Sequence, residues 1–146
     1  MEIPENLLHN IVRQSVNVGD VYLVELNQSD GITPKDGDET RHKYFIVLGF
    51  DNEGNAYGGV IINSRINQKM SQVVKDYHMP IKCSKYTFLK YDSFVDCLQL
   101  KVAPLSKLSC GNYKGKIDSD DTALIVGTLK GSPREKAVRL KQFGII

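Results

Sequence analysis

A short basic run and a nearby polar tripeptide are the parts of this sequence best suited to chemistry on a phosphate. The basic run is RHK, formed by Arg41, His42 and Lys43 at the point where a polar segment enters an apolar one. Guanidinium and ammonium groups make charge-assisted hydrogen bonds to phosphate oxygens, so cations fixed at the end of a rigid strand can hold a phosphate. The alternative interpretation is a solvated strand end without a binding role.

The tripeptide is NSR, formed by Asn63, Ser64 and Arg65 at the end of the next apolar run. In an antiparallel hairpin the start of one arm lies near the end of the other, and a sheet curled into a small barrel would close both ends around one cleft. Cations and hydrogen-bond donors stabilise the charge on a phosphate, and the two runs together offer such groups. Histidine, present as His42, is the residue type that exchanges a proton most readily near neutral pH.

Motifs for other chemistries are absent or incomplete. The segment GNYKGK, residues 111–116, has too few residues between its glycines for a phosphate loop and precedes Ile117 where a hydroxyl belongs, so it predicts a turn. HExxH, GxSxG and GxGxxG do not occur, which leaves a metalloprotease, an α/β-hydrolase and a dinucleotide-binding domain without support. The scattered histidines are expected to be surface or hydrogen-bonding residues: His9, His42 and His78.

The cysteines and the overall charge bound the class of protein. Cys83, Cys97 and Cys110 form no CxxC pair, so we expect reduced, mostly buried cysteines rather than disulfides or a metal site. The net charge of +2 is small for a dedicated nucleic-acid binder, so any such role must rest on local basic residues. The longest apolar run, residues 44–50, is too short to span a bilayer, and the N-terminus MEIPENLLHN lacks secretory features, so we expect no membrane association and a cytoplasmic location.

The length of 146 residues predicts a single domain, 1–146, whose parts differ in hydrophobic pattern. Residues 1–16 are expected to form a helical extension, because apolar residues recur at helical spacing after Pro4. Residues 17–117 are expected to form β-strands, which β-branched and aromatic residues favour. The expected strands are residues 19–26, a hairpin of 43–50 with 56–63, and residues 94–102.

Two further segments complete the predicted organisation. Residues 27–40 are dense in Gly, Pro, Asp and Thr, which predicts a long exposed loop. Residues 118–146 form the third part and predict two consecutive helices. Residues 118–121 offer oxygens for the N-cap of the first helix, which ends at Gly131. The second begins at SPRE, residues 132–135, where serine, proline and glutamate match a capping signature.

The order of these segments resembles the PemK/MazF/Kid family of bacterial toxins. The resemblance is carried by GDVYLVEL, a long loop, RHKYFIVL, GGVIINS and YDSFVDCLQLKVAPLSKL, and it runs from residue 19 to residue 108. It implies a mainly β fold, an SH3-like small antiparallel β-barrel with helices, which forms a homodimer. It also implies the toxin of a type II toxin-antitoxin system: a metal-independent, sequence-specific mRNA endoribonuclease, or mRNA interferase, without a cofactor. Such a toxin cuts single-stranded RNA, inhibits growth and is neutralised by a cognate antitoxin protein.

The resemblance assigns catalytic roles to the two polar runs. RNA cleavage without a metal needs a base for the 2′-hydroxyl, an acid for the leaving oxygen, and donors for the phosphate. The family's catalytic arginine aligns with Lys43, with Arg41 two positions earlier and Tyr44 in place of the family's proline. Its catalytic threonine or serine aligns with Ser64, or with Asn63 if the strand ends one residue sooner. Two departures bear on the Kid-like mechanism, which has a basic and an acidic catalytic residue at positions held here by Asp96 and Leu98.

Residues for RNA binding follow from the same resemblance and from the exposed aromatic rings. Asp92 and Ser93 match the family's Asp-Ser, Gln99 matches its glutamine, and Lys101 stands where arginine is usual. The complete RNA-binding set is Asn63, Arg65, Asp92, Gln99 and Lys101. The long loop at residues 27–40 and an exposed aromatic ring, that of Tyr86 or Tyr91, are expected to recognise unstacked bases.

Two alternatives stay open, both of them non-catalytic barrels of the same fold. One is a toxin that poisons gyrase in the manner of CcdB, because a shared fold does not fix function. The other is a degenerate member that keeps only its partner-binding surface, as the replacement of arginine by Lys43 suggests. The apolar tail, Ile145 and Ile146, favours a homodimer, unless it folds back on its own domain.

Overall fold

The polar and apolar segments of the sequence arrange themselves as one antiparallel sheet with helices on its faces. A computed structural model describes residues 16–27, 40–66 and 68–146, together with the side chains in these ranges except those of Thr40 and Arg41. The helix expected within residues 1–16 and most of the loop expected for residues 27–40 lie outside the described residues.

The described ranges contain seven strands and four helices. The strands are β1 (Asp20–Asn27), β2 (Thr40–Phe50), β3 (Ala56–Asn63), β4 (His78–Ile81), β5 (Ser93–Asp96), β6 (Lys101–Pro104) and β7 (Asn112–Lys116). The helices are α1 (Gln72–Asp76), α2 (Leu105–Ser109), α3 (Ser119–Lys130) and α4 (Ala137–Gln142). The strand order is β4-β5-β3-β2-β1-β7, and β6 also pairs with β3. Every pairing is antiparallel, so the prediction of a mainly β fold is confirmed.

The central strands are buried on both faces of the sheet. Along β2, Ile46 and Leu48 lie on one face and Phe45 and Val47 on the other, because successive side chains of a strand alternate. The helical residues that cover the first face are Ile125, Leu129 and Leu140, and those that cover the second are Leu105 and Leu108. Burial on both faces explains why β2 and β3 are almost continuous apolar runs.

The strand predicted at residues 94–102 is broken into β5 and β6. β5 pairs with the end of β3 and β6 with its beginning, and residues 97–100 between them leave the ladder. The carboxylate of Asp96 accepts a hydrogen bond from the backbone N–H of Leu98 at 3.0 Å, which favours a turn at this point. The prediction of one continuous strand is therefore wrong.

Two other local predictions are wrong. The GNYKGK segment is not a turn but β7, which pairs with β1 through residues such as Tyr113, opposite Tyr22. The last helix begins at Ala137 rather than at SPRE, because Ser132 donates to the carbonyl of Leu98. The first tail helix has its cap within residues 118–121, as predicted: it begins after Asp118, whose side chain accepts from a backbone N–H of the first turn.

The C-terminal residues fold back on the sheet. The backbone N–H of Ile145 donates to the carbonyl of Leu140 at 3.0 Å, after a left-handed turn at Gly144, and the side chain of Ile145 packs on the first core face. The side chain of Ile146 is 42% exposed, so only one of the two apolar tail residues is left on the surface. None of the helices in the described part of the chain has the length and apolarity needed to cross a bilayer.

Candidate functional site

A cleft opens where β2 begins and β3 ends, as the hairpin geometry predicts. Its volume is about 290 Å³. Its lining comes from β1, from the start of β2, from the end of β3, and from the segment that leads into β5: Leu23, His42, Lys43, Tyr44, Ile62, Ser64, Leu89, Lys90, Tyr91 and Ser93. We call it the β2–β3 cleft. It brings together three of the four residues to which the sequence assigned a catalytic role, and the side chain of the fourth, Arg41, lies outside the description.

The two-residue period of the strands divides the predicted site between two faces. Tyr44 pairs with Ile62, and both belong to the first core face. The same register continued by two residues sets His42 across from Ser64, so these two side chains share that face and the cleft. The residues between them, Lys43 and Asn63, point to the opposite face of the sheet. Lys43 therefore borders the cleft at its rim, and its ammonium contacts the side chain of Asn63.

A row of polar side chains crosses the opposite face of the sheet. The Nζ of Lys43 donates to Oδ1 of Asn63 at 2.8 Å, and Nδ2 of Asn63 lies 3.5 Å from Nε2 of His78. Asp96 follows, with its Oδ2 4.0 Å from the same ring nitrogen. We call Lys43, Asn63, His78 and Asp96 the polar row. Sequence reasoning proposed no role for His78, because a lone histidine in a β-rich sequence carries no motif.

The wall of the cleft is held by contacts with the segment before β5. The hydroxyl of Tyr44 donates to the carbonyl of Phe88 at 3.3 Å, and the two rings meet edge to face with centroids 5.6 Å apart. The hydroxyl of Ser93 donates to the carbonyl of Tyr91 at 2.9 Å. Tyr91 itself is 62% exposed, which leaves an aromatic ring at the cleft mouth.

The second aromatic ring expected to meet RNA, Tyr86, is buried instead. Its hydroxyl donates to the carboxylate of Asp121, and it accepts from the backbone N–H of Asp118 at 3.3 Å. Burial, and then the hydrogen bond with Asp121, raises the pKa of Tyr86 to about 12. The expectation that Tyr86 is an exposed stacking residue is therefore wrong, because its hydroxyl finds two partners at the start of α3.

Lys85 completes this anchor between the cleft wall and α3. Its Nζ lies 2.7 Å from a carboxylate oxygen of Asp118 and 3.0 Å from one of Asp121. The hydrogen bond with Asp118, followed by the one with Asp121, raises the pKa of Lys85, and the same ammonium lowers the pKa of Asp118. The sequence marked Asp118 as one of four successive residues that could cap a helix, but its contact with Lys85 spans 33 residues of chain and leaves no local signal.

None of the five predicted RNA-binding residues lines the cleft, and one of them, Asn63, belongs to the polar row. Asp92 is adjacent in sequence to two lining residues, but its carboxylate accepts from the backbone N–H of Cys83 at 3.0 Å, a bond that lowers the pKa of Asp92. The other three lie on the chain beside or away from the cleft: Arg65 after the exposed Ser64, Gln99 in the turn between β5 and β6, and Lys101 opposite Gly59. The cleft is also lined by Lys90, an exposed cation to which the sequence analysis assigned no role.

The other chemistry-bearing side chains stay apart. Within the described ranges, no three His, Cys, Asp or Glu side chains come together as a metal site. All three cysteines are free thiols, and only Cys97 is fully buried, so the expectation of mostly buried cysteines is wrong. Burial raises the pKa of the Cys97 thiol to about 12.

Comparison with known proteins adds no relative to this picture: no protein-family model and no curated protein matches the chain.

Proposed function

We propose that this chain is a metal-independent endoribonuclease that cuts single-stranded mRNA, the toxin of a type II toxin-antitoxin pair. The single observation that carries the proposal is that His42 and Ser64 share one cleft with an exposed aromatic ring and lysines at its rim. The motif resemblance assigns catalytic roles to the same two strand ends. Growth inhibition then follows from the loss of mRNA, and a cognate antitoxin protein controls the enzyme.

The residues of the cleft have a definite role in the proposed reaction. His42 takes the proton of the 2′-hydroxyl as its oxygen attacks the adjacent phosphorus. The bond from phosphorus to the 5′-oxygen breaks, that oxygen takes a proton from solvent water, and the products are a 2′,3′-cyclic phosphate and a 5′-hydroxyl end. The hydroxyl of Ser64 donates to a phosphate oxygen, and Lys43 and Lys90 offset the charge that builds there.

The exposed ring of Tyr91 suits a single strand better than a duplex. Every unpaired base has a face that stacks on an aromatic ring, whereas a paired base keeps its faces within the helix. Bound RNA therefore lays one base on Tyr91 and the neighbouring phosphate between His42 and Ser64. Arg65, next to Ser64 and exposed, holds a phosphate further along the strand.

The proposal extends to the finer fold and to assembly. We propose that the sheet curls toward an SH3-like barrel, since the register shift between Val47 and Gly49 and the break between β5 and β6 both allow a sheet to bend. We also propose a homodimer, supported by apolar side chains exposed near the C-terminus: Leu124, Val138 and Ile146. Light scattering at tens of micromolar tests the dimer, and a monomer there contradicts it.

The deciding experiment incubates the purified protein with a long single-stranded RNA in EDTA. Cleavage should persist and leave a 2′,3′-cyclic phosphate, and RNA with a 2′-deoxy group at the scissile position should bind without being cut. Ser64→Ala should lower kcat by about 10²- to 10³-fold, as the loss of one transition-state donor does. Its unfolding free energy should change by no more than about 0.5 kcal/mol, since Ser64 is exposed.

An exposed serine of α2, Ser106, supplies a matched control. Ser106→Ala removes a hydroxyl from a helix that covers the opposite core face, and it should leave cleavage unchanged. Equal losses in the two variants would mean that Ser64 has no special role. Absence of any cleavage by the wild-type protein would overturn the enzymatic proposal.

One observation favours a second, non-catalytic function. Lys43, which stands where the family has its catalytic arginine, borders the cleft but donates its ammonium to the side chain of Asn63. A barrel that only binds a partner, whether a gyrase-directed toxin or a member that has lost its activity, is compatible with that geometry. Growth arrest on expression without RNA cleavage would support the gyrase-directed function. Absence of both growth arrest and RNA cleavage would support the member that has lost its activity.

A further inference from the structure

The pairing of the strands adds a third side chain to the row that His42 and Ser64 form in the cleft. β3 pairs with β5 through Asn63 opposite Phe94. This register continued by one residue sets Ser64 across from Ser93, so their two side chains lie on one face of the sheet. His42, Ser64 and Ser93 therefore follow one another from β2 to β5, and all three line the β2–β3 cleft.

The hydroxyl of Ser93 offers only lone pairs to a molecule bound in the cleft. Its hydrogen is donated to the carbonyl of Tyr91 at 2.9 Å, and a carbonyl oxygen cannot donate in return. The hydroxyl of Tyr44, which also lines the cleft, is committed in the same way to the carbonyl of Phe88 at 3.3 Å. Among the described residues no donor contacts either hydroxyl oxygen. Each oxygen can therefore accept a hydrogen bond from a bound group.

The rest of the cleft suits the flat face of a nucleobase. The space of about 290 Å³ has three apolar side chains in its walls: Leu23, Ile62 and Leu89. In the proposed reaction His42, Ser64 and the lysines serve the phosphate. A base that enters the cleft beside that phosphate thus meets apolar walls and the two hydroxyl oxygens that accept.

Acceptors of this kind distinguish bases by their exocyclic groups. Cytosine, adenine and guanine each carry an amino group, which donates. Uracil carries two carbonyl groups, which only accept, and its single donor, N3–H, lies between them. A carbonyl of uracil in the place of an amino group would set one oxygen against another with no hydrogen between them, so neither oxygen gains a partner.

We infer that the β2–β3 cleft selects a nucleotide whose base carries an exocyclic amino group, recognised through hydrogen bonds to the hydroxyl oxygens of Ser93 and Tyr44, and that it disfavours uracil. The inference rests on the proposed function for the place of the phosphate, and it adds the class of base that the site takes. Recognition of the base needs no cleavage, so it is measured by binding alone.

The experiment compares the binding of pentadeoxycytidine and pentadeoxyuridine to the full chain by fluorescence anisotropy at one fixed salt concentration. The two oligonucleotides carry the same backbone charge, and neither has the 2′-hydroxyl that cleavage needs. The wild-type protein should bind the cytosine oligonucleotide about 5- to 100-fold more tightly, the range of discrimination that well-placed base contacts give. Equal Kd values, tighter binding of the uracil oligonucleotide, or no binding of either would overturn the inference.

Two variants separate hydrogen bonding from stacking. Ser93→Ala and Tyr44→Phe each remove one acceptor, and each should lower the ratio of the two Kd values by about two- to tenfold, the range of one neutral hydrogen bond. Ser109→Ala is the matched control, because the hydroxyl of Ser109 donates to the carbonyl of Ser106 at 2.9 Å in α2, and Ser109 does not line the cleft. It should leave the ratio unchanged. A preference for cytosine that is undiminished in both cleft variants would come from stacking and would overturn the inference.

A further readout uses the wild-type protein and does not depend on the folding of a variant. In the complex with pentadeoxycytidine, the amino protons of a bound cytosine should show nuclear Overhauser effects to side-chain protons of Ser93 or Tyr44. Their absence from both residues would overturn the inference.

The inference and the proposed function fail separately. Selective binding of the cytosine oligonucleotide by a protein that cuts no RNA in EDTA would reject the enzyme and retain the base-binding site. Cleavage in EDTA by a protein with equal Kd values for the two oligonucleotides would retain the enzyme and reject the site.

Discussion

The carboxylate of Glu135 accepts a hydrogen bond from the backbone N–H of Leu100 at 2.6 Å, across 35 residues of chain. The side chain of Glu135 is 2% exposed and also lies 3.6 Å from a guanidinium nitrogen of Arg139. It joins the turn between β5 and β6 to the segment before α4, and so holds the point at which the predicted strand breaks.

Removal of this carboxylate should destabilise the protein. Glu135→Ala is expected to lower the free energy of unfolding by about 2 to 3 kcal/mol, because hydrogen bonds to charged groups contribute about 1.5 to 3 kcal/mol and the N–H of the buried Leu100 loses its acceptor. Urea denaturation measures the change. The control variant Glu53→Gln, at an exposed glutamate, should change the free energy of unfolding by no more than about 0.5 kcal/mol. Equal losses in both variants would contradict a stabilising role for the hydrogen bond between Glu135 and Leu100.

Sequence reasoning succeeded where the signal was local. β1, β2 and β3 carry β-branched and aromatic runs bounded by turn residues, and Asp118 caps α3 through its own first turn. The SPRE signature misled because its serine and glutamate bond to Leu98 and Leu100, which lie far away in the chain. β7 was missed because an edge strand with exposed, charged residues lacks the apolar alternation on which strand prediction depends.

The sequence likewise predicted the parts of the candidate site that depend on local strand geometry, and missed those that depend on long-range contacts. Antiparallel pairing alone brings the ends of β2 and β3 together, and the period of two alone separates His42 and Ser64 from Lys43 and Asn63. The contact of Asn63 with His78 depends on how the chain returns through β4, for which residues 64–77 give no local signal. The same holds for Lys90, whose place at the cleft depends on the anchor at α3.

Replacement of glycine by alanine should change the stability in opposite directions at Gly59 and at Gly127, because the two positions differ in the space around them. A Cβ at Gly59 would lie 2.0 Å from the carbonyl oxygen of Ile46, so Gly59→Ala is expected to lower the stability by about 1 to 3 kcal/mol. A Cβ at Gly127, within α3, would meet nothing within 4 Å, so Gly127→Ala should stabilise the protein by about 0.5 to 1 kcal/mol. Urea denaturation of both variants measures the sign, and a stabilising Gly59→Ala would contradict the close approach of β2 and β3.

The buried hydroxyl of Tyr86 should make stability fall at high pH. Its pKa is about 12 in the folded protein against an ordinary value of 10.0, so its contribution is complete below pH 10 and is lost as the pH rises toward 12. Tyr86→Phe should flatten the decline of the unfolding free energy in this interval. Denaturation at a series of alkaline pH values measures the slope, and Tyr91→Phe controls for the loss of a phenol exposed to solvent. An unchanged slope in Tyr86→Phe would contradict the buried hydrogen bond to Asp121.

The exposed ring at the cleft mouth should contribute directly to binding of single-stranded RNA. Stacking of one base on an aromatic ring contributes about 1 to 3 kcal/mol, so Tyr91→Ala is expected to raise the Kd for uncut 2′-deoxy-substituted RNA by about 5- to 150-fold. Tyr91→Phe should bind as wild type, because the ring and not the hydroxyl meets the base.

Tyr113 gives a matched control, since it is 57% exposed but lies on the edge strand β7 and does not line the cleft. Tyr113→Ala should leave the Kd unchanged in the same fluorescence-anisotropy titration, at one fixed salt concentration because phosphate contacts weaken as salt rises. Equal weakening in the two alanine variants would show that RNA adheres to any exposed ring. Loss of binding in Tyr91→Phe as well would show that the hydroxyl, and not stacking, holds the base. Weakening confined to Tyr91→Ala locates the bound strand at the β2–β3 cleft, within reach of His42 and Ser64.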